Sequence, residues 1–331
     1  MKKSVLSVII IVSGLLQTSD VQAKVWRINN ATGVSADYKE VSAAIASSFV
    51  TTGDTLYIEG SATLYNSATL TKKLVLIGSG YLLSGTGANT GLQAMGLSTK
   101  IASILIDSLA SGSTFMGLSA PIYLYASVDD VTITRCEGNI SVYTPIANSK
   151  IANLIINKCI GHSDLSLTTV ENIKVTNCIF LNTFTINKVI NGLVRNNVFV
   201  SAATIANSYV SNNIFLSTLT VSTSTVKYNL ASGANTLPAG NNNQNGVSAT
   251  VFFENTGSSD GKYQLKAGSP AIGAGEPIGG ITPDAGAFGT ADPYRLSGIP
   301  PIPTIYSLTV PPSIPASATS MDITFSTRSN N

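Results

Sequence analysis

The chain has 331 residues, of which 44% are hydrophobic and only 11% charged, with a net charge of +2. So weak a charge excludes the strongly basic surface of a nucleic-acid binder and any strong attraction to an anionic membrane. Ser, Thr, Asn and Gly fill the polar positions instead, which points to a β-rich chain with hydroxyl- and amide-lined surfaces.

At the front, Lys2 and Lys3 precede an apolar run from Val5 to Leu16, and Val21-Gln22-Ala23 supplies small residues at a cleavage site. This is the pattern of a signal peptide, residues 1–23, cut near Ala23 to give an exported protein that is secreted or held at the cell surface. No later apolar run approaches the roughly 18 residues of a membrane-spanning helix. Asp37-Tyr38-Lys39-Glu40 has the form of a capping box, and Tyr38, Val41, Ile45 and Phe49 share one helical face. The pattern predicts a short helix over 37–48 that plugs the end of the fold. Two strand-like rungs follow, at 54–58 and 73–77. The pattern loosens between 80 and 126, with a loop over 85–96.

From Val131 the chain repeats. Val131-Thr-Ile-Thr-Arg-Cys136, Leu154-Ile-Ile-Asn-Lys-Cys159, Ile173-Lys-Val-Thr-Asn-Cys178, Gly192-Leu-Val-Arg-Asn-Asn197 and Ser208-Tyr-Val-Ser-Asn-Asn213 align without gaps, and a weaker copy ends at Asn229. Their last residues are 23, 19, 19, 16 and 16 apart. A period near 20 residues with one apolar strand per copy is the signature of a solenoid. Alternation places Val131 and Ile133, Leu154 and Ile156, Ile173 and Val175 on a core face. Asn177, Asn196, Asn197, Asn212 and Asn213 suit a sharp turn repeated in register. Phe180, Phe199 and Phe215 form an aromatic column, and Thr185, Thr204 and Thr220 an outward one beside inward Ile186, Ile205 and Val221. Cys136, Cys159 and Cys178 occupy a single column, which reads as a ladder of small buried thiols rather than a disulfide framework or a metal site. Residues 241–245 break the repeat, and 263–289 read as an irregular closing segment. Seven of the thirteen prolines then fall between Pro293 and Pro315, with strand-like pieces at 305–310 and 321–327.

The predicted fold is an all-β, right-handed parallel β-helix. It spans 24–289, with an N-terminal cap over about 25–52 and a closing segment over about 241–289, followed by a proline-rich extended tail over 290–331. The stretches Asp37-Tyr-Lys-Glu-Val-Ser-Ala-Ala-Ile45, Gly53-Asp-Thr-Leu-Tyr-Ile58 and Leu74-Val-Leu-Ile-Gly78 resemble the opening of pectate-lyase-like β-helix proteins. Tyr263-Gln-Leu-Lys-Ala-Gly-Ser-Pro-Ala-Ile-Gly-Ala-Gly275 and Asp284-Ala-Gly-Ala-Phe-Gly289 resemble the last coil of a secreted bacterial β-helix family without an assigned activity. The resemblance implies the fold and says little of function. The paired Asp with Gln and Arg of pectin methylesterases has no counterpart here, and neither does the calcium-binding acid set of pectate lyases.

The chemistry-bearing residues therefore favour binding over catalysis. Arg135, Lys158, Lys174 and Arg195 form a basic strip within reach of one glycan chain, and Tyr209, with Tyr123, Tyr125 and Tyr143, offers rings for sugars to stack on. Acids do not share a column with these bases. His162, the single histidine, lies two residues from Asp164 without a nucleophile elbow. The expectation is a non-catalytic binding or adhesive scaffold for a polysaccharide, without a metal or cofactor. The alternative is a polysaccharide lyase or esterase-like enzyme. A second alternative is a component of a surface assembly that uses the tail, where Ile323 and Phe325 would meet a cell-surface protein by strand addition.

Overall fold

The computed structural model describes residues 23–143, 149–234 and 236–330; all but the last residue of the expected signal peptide lies outside them. The described chain is all-β, a parallel β-solenoid of about nine turns. No helix among the described residues is long and apolar enough to cross a membrane.

Two sheets wind up the stack in step. The first begins at Val25–Ile28, a rung that sequence reading placed in the cap, and continues through Thr55–Ile58, Val75–Ile77, Thr114–Met116 and Thr132–Thr134. It then takes in Ile155–Asn157, Thr169–Thr176, Val189–Arg195, Ser208–Ser211 and Thr225–Lys227. Its inward column is unbroken: Trp26, Leu56, Leu76, Phe115, Ile133, Ile156, Val175, Val194, Val210 and Val226 pair in register, all buried. Each such side chain contributes about 1.5–3 kcal/mol on burial, so stability is spread evenly along the stack. The loosely patterned region keeps the same register, because three-residue rungs at Ile104–Ile106, Thr114–Met116 and Ile122–Leu124 are too short to show alternation.

The second sheet carries the aromatic stack. The rings of Phe180 and Phe199 lie 5.2 Å apart at 13°, and those of Phe199 and Phe215 4.8 Å apart at 5°. Thr185, Thr204 and Thr220 pair rung on rung, with Ile186 and Ile205 buried beside them. At the start of the stack, a helix at Val41–Ala46 sends Val41, Ala44 and Ile45 into the core. It is shorter than the predicted 37–48. Glu40 stands at its N-cap without a side-chain bond to the helix, its carboxylate accepting from Asn66 N at 2.9 Å, and Asp37 accepts from the Arg27 amide at 2.8 Å.

Where the first sheet passes into the second, the chain turns through a left-handed residue in each of these coils: Arg135, Lys158, Asn177, Asn196, Asn212 and Tyr228, with φ of 53–59°. Asn accepts this conformation most readily among residues with a side chain. The next residue points inward, and here the column changes character from Cys136, Cys159 and Cys178 to Asn197, Asn213, Asn229 and Asn243. Asn213 shows the logic. Its Oδ1 accepts from the Asn197 backbone and side-chain amides at 2.9 and 3.0 Å, while its Nδ2 donates to Val194 O at 3.0 Å and Asn229 Oδ1 at 2.9 Å. Every polar atom of a fully buried amide is thus used.

Residues 271–300 then run back down the outside of this turn column. Gly286 N donates to Asn212 O at 2.8 Å, Asn196 Nδ2 to Asp284 O at 3.0 Å and Asn177 Nδ2 to Ala287 O at 3.0 Å. Lys158 pairs with Asp292, and Arg135 donates to Ile299 O. This strap also covers a second apolar column, Ile160, Ile179, Val198, Ile214 and Leu230. Asp260 anchors its end, accepting from Ser297 N at 2.7 Å and from the Tyr294 hydroxyl at 3.1 Å. Beyond the strap, Thr304–Thr309 and Thr324–Arg328 form an antiparallel hairpin, so the two predicted tail strands pair with each other.

Candidate functional site

The strap does not lie flush on the first sheet. Between them a groove of about 330 Å³ is lined by Asn157, Lys174, Thr176 and Arg195 from three successive coils and by Thr290–Asp292 from the strap. The strand Thr169–Thr176 explains the cation at its floor: Ile173 and Val175 point into the core, so Lys174 between them must point out. Asn157, Thr176 and Arg195 share the neighbouring outward column, one coil apart each, at about 4.8 Å per step.

Lys174 has no carboxylate partner among the described residues. Asn157 Oδ1 is buried without a hydrogen-bond partner. Arg195 is held rigidly: its Nε donates to Ser211 Oγ at 2.9 Å, its Nη2 to Glu276 Oε2 at 2.9 Å, and its guanidinium lies 5.4 Å from the centre of the Tyr209 ring. Lys227 reaches the other Glu276 oxygen at 2.6 Å, and the Tyr209 hydroxyl donates to both. Partial burial pushes the Glu276 carboxyl up, but hydrogen bonds from Lys227 and Tyr209 and the charges of Lys227 and Arg195 outweigh it. The group stays below the usual carboxylate value. Asp292, at the groove's edge, is held low chiefly by its hydrogen bond from Lys158. Both acids are therefore fixed as anions within ion pairs.

The five sequence-predicted cation and ring positions separate into two groups. Lys174, Arg195 and Tyr209 are neighbours on one outer face, with Lys174 and Tyr209 in one column either side of Leu193. Arg135 and Lys158 are not on that open face. They occupy the left-handed turn column, are 5% and 3% exposed, and are spent on the strap. Burial accordingly pushes both side chains below their usual values. Tyr123 and Tyr143 meet edge-on at 6.2 Å on the second sheet, away from Tyr209. His162 pairs in register with Asn139 on that sheet, and its Nδ1 lies 3.4 Å from Thr183 Oγ1. The three cysteines are buried and free, and among the described residues no group of three His, Cys, Asp or Glu could hold a metal ion. Ile323 and Phe325 are exposed at the hairpin, 50% and 60% respectively.

Sequence reading did not find Glu276, Asp292 or Lys227. The two acids lie in an irregular segment with no repeat column to align them. Lys227 does lie in the Arg195 column, in the weak sixth copy, and that alignment was the one available signal. No family model and no curated protein matches this chain.

Proposed function

We propose that this protein is an exported, non-catalytic β-helix of the pectate-lyase-like kind that binds an acidic glycan outside the cell. The observation that carries this reading is the groove beside Lys174: an unpaired ammonium, a fixed guanidinium and the side chain of Thr176 lie along one rigid face. A sugar carboxylate or sulfate would meet the two cations, and its ring hydroxyls would meet the polar groups beside them. Parallel coils fix these groups before binding, so little ordering entropy is lost. A repeating polymer also matches a repeating face.

Catalysis is the weaker reading because the nearby carboxylates are already committed. Cleavage of a glycosidic bond by acid–base chemistry needs a carboxyl that can give up a proton near working pH, whereas Asp292 and Glu276 are held ionised by Lys158, Lys227 and Arg195. Size-resolved chromatography of the protein with polygalacturonate, alginate, dextran and xyloglucan tests the reading. Co-elution with the acidic polymers, at unchanged polymer length, is expected. Shortened polymer would show an enzyme, and equal co-elution with dextran would remove the role assigned to the cations.

A further inference from the structure

A larger cavity, about 670 Å³, opens at the other end of the same sheet face. This is the size of a small-molecule site. Its floor is the outer face of the early coils, where Tyr57 sits in the column that later carries Asn157, Thr176 and Arg195. One wall is the loop bearing Gln93, Met95 and Leu97, and the opposite wall is the hairpin, through Ile305 and Leu308. The hairpin is amphipathic. Leu308 faces Phe325 across the ladder and Ile305 faces Thr327, whereas the other side pairs Ser307 with Ser326 and Thr309 with Thr324. Its apolar side is left uncovered, with Leu308 52% exposed, and a two-stranded hairpin is marginal by itself. The Ile305 carbonyl accepts from Ala94 N at 2.8 Å and Arg328 Nη2 donates to Leu92 O at 2.6 Å, which joins this wall to the loop opposite.

The polar side chains in the cavity are hydroxyls, a carboxylate and an amide. Glu59 is held by Arg27 at 2.7 Å and by Asn29 at 2.8 Å, so its negative charge is already balanced. The Gln93 Nε2 donates to Ser79 O. That leaves its Oε1 as an acceptor and its second N–H as a donor. Burial, reinforced by the Glu59 charge, pushes the Tyr57 phenol above its usual value, which keeps it a neutral donor. Fixed donors and acceptors side by side call for a ligand rich in hydroxyls, which both give and accept hydrogen bonds. The absence of an unpaired charge calls for a neutral one, and the Met95, Leu97, Ile305 and Leu308 walls call for an apolar substituent.

We infer that this cavity binds a neutral sugar carrying a methyl or acetyl group, stacked on Tyr57 with its substituent between Leu97 and Leu308. The site is separate from the cationic groove and does not depend on it. Titration calorimetry with the methyl glycosides of L-fucose, N-acetylglucosamine, glucose and galacturonate tests it. The fucoside or the acetylated sugar should bind about threefold to tenfold more tightly than the glucoside, and the galacturonide should bind least. Leu308→Asp, at an exposed position, should keep the melting temperature and abolish the preference. Phe325→Ser, outside the cavity wall, and Lys174→Ala, in the cationic groove, should leave it unchanged. Absence of binding by all four sugars, a galacturonide that binds best, or a preference that survives Leu308→Asp would each overturn the assignment.

Discussion

The β-helix body and the C-terminal hairpin handle the same object, a strand with one apolar face, in opposite ways. In the body every inward side chain is covered by its equivalent one coil away, and even the buried amides of Asn197, Asn213 and Asn229 satisfy one another. In the hairpin Ile305, Leu308 and Phe325 share a face that stays exposed among the described residues. The difference separates what holds the molecule together from what it leaves open. Columns that close on themselves hold the molecule together, and faces left open are the ones available to a ligand.

Substitutions of graded severity separate the two regions. Ile156→Asp places an unpaired carboxylate in the unbroken core column and should cost more than about 4 kcal/mol, enough to prevent folding. Normal yield and an unchanged melt would contradict the register. Next comes the buried ladder. Asn213→Ala takes the acceptor from the buried Asn197 backbone N–H and one bond each from the Asn197 side-chain amide, Val194 O and Asn229 Oδ1, for a loss of about 3 kcal/mol. Cys159→Ala, three coils lower in the same column, removes only a small buried thiol and should cost about 1–2 kcal/mol. Denaturant melts that gave the two variants equal losses would mean that the Asn ladder adds nothing beyond packing.

The strap should respond to acid. Glu276 and Asp292 lie below their ordinary values of 4.5 and 3.8, so the unfolded chain binds more protons than the folded one in that range. Their stabilisation is complete above about pH 5 and is lost as pH falls through the folded values. Glu276→Gln should lower stability at neutral pH by about 1–2 kcal/mol, discounted for its partial exposure, and flatten the acid limb of a melt-versus-pH curve. A limb of unchanged slope would place the acid sensitivity elsewhere. The smallest effect belongs to the hairpin: Phe325→Ser should shift stability by no more than about 0.5 kcal/mol, and a large drop would show that this face is packed after all.

Much of the body was legible because a solenoid writes its core as columns. Ile133, Ile156 and Val175, the Phe180–Phe199–Phe215 stack and the paired Thr185, Thr204 and Thr220 were all visible in gapless alignment. The turn was half legible. Asn177 and Asn196 announced a left-handed residue, but in the two earlier coils Arg135 and Lys158 hold that position, and a charged side chain there reads as an outward strand residue. Their burial depends on a strap more than a hundred residues away, whose backbone carbonyl at Ile299 and carboxylate at Asp292 carry no periodic signal. The outward placement of Lys174, Arg195 and Tyr209 was therefore legible, while the wall that makes a groove beside them was not.

Affinity electrophoresis through gels containing polygalacturonate tests the central claim most directly. The protein should be retarded, the retardation should fade with added salt as screening grows, and Lys174→Ala should weaken binding about fivefold or more at an unchanged melting temperature. Equal retardation of the protein and Lys174→Ala, or retardation insensitive to salt, would contradict the claim that the open cation of the first sheet is what the ligand meets.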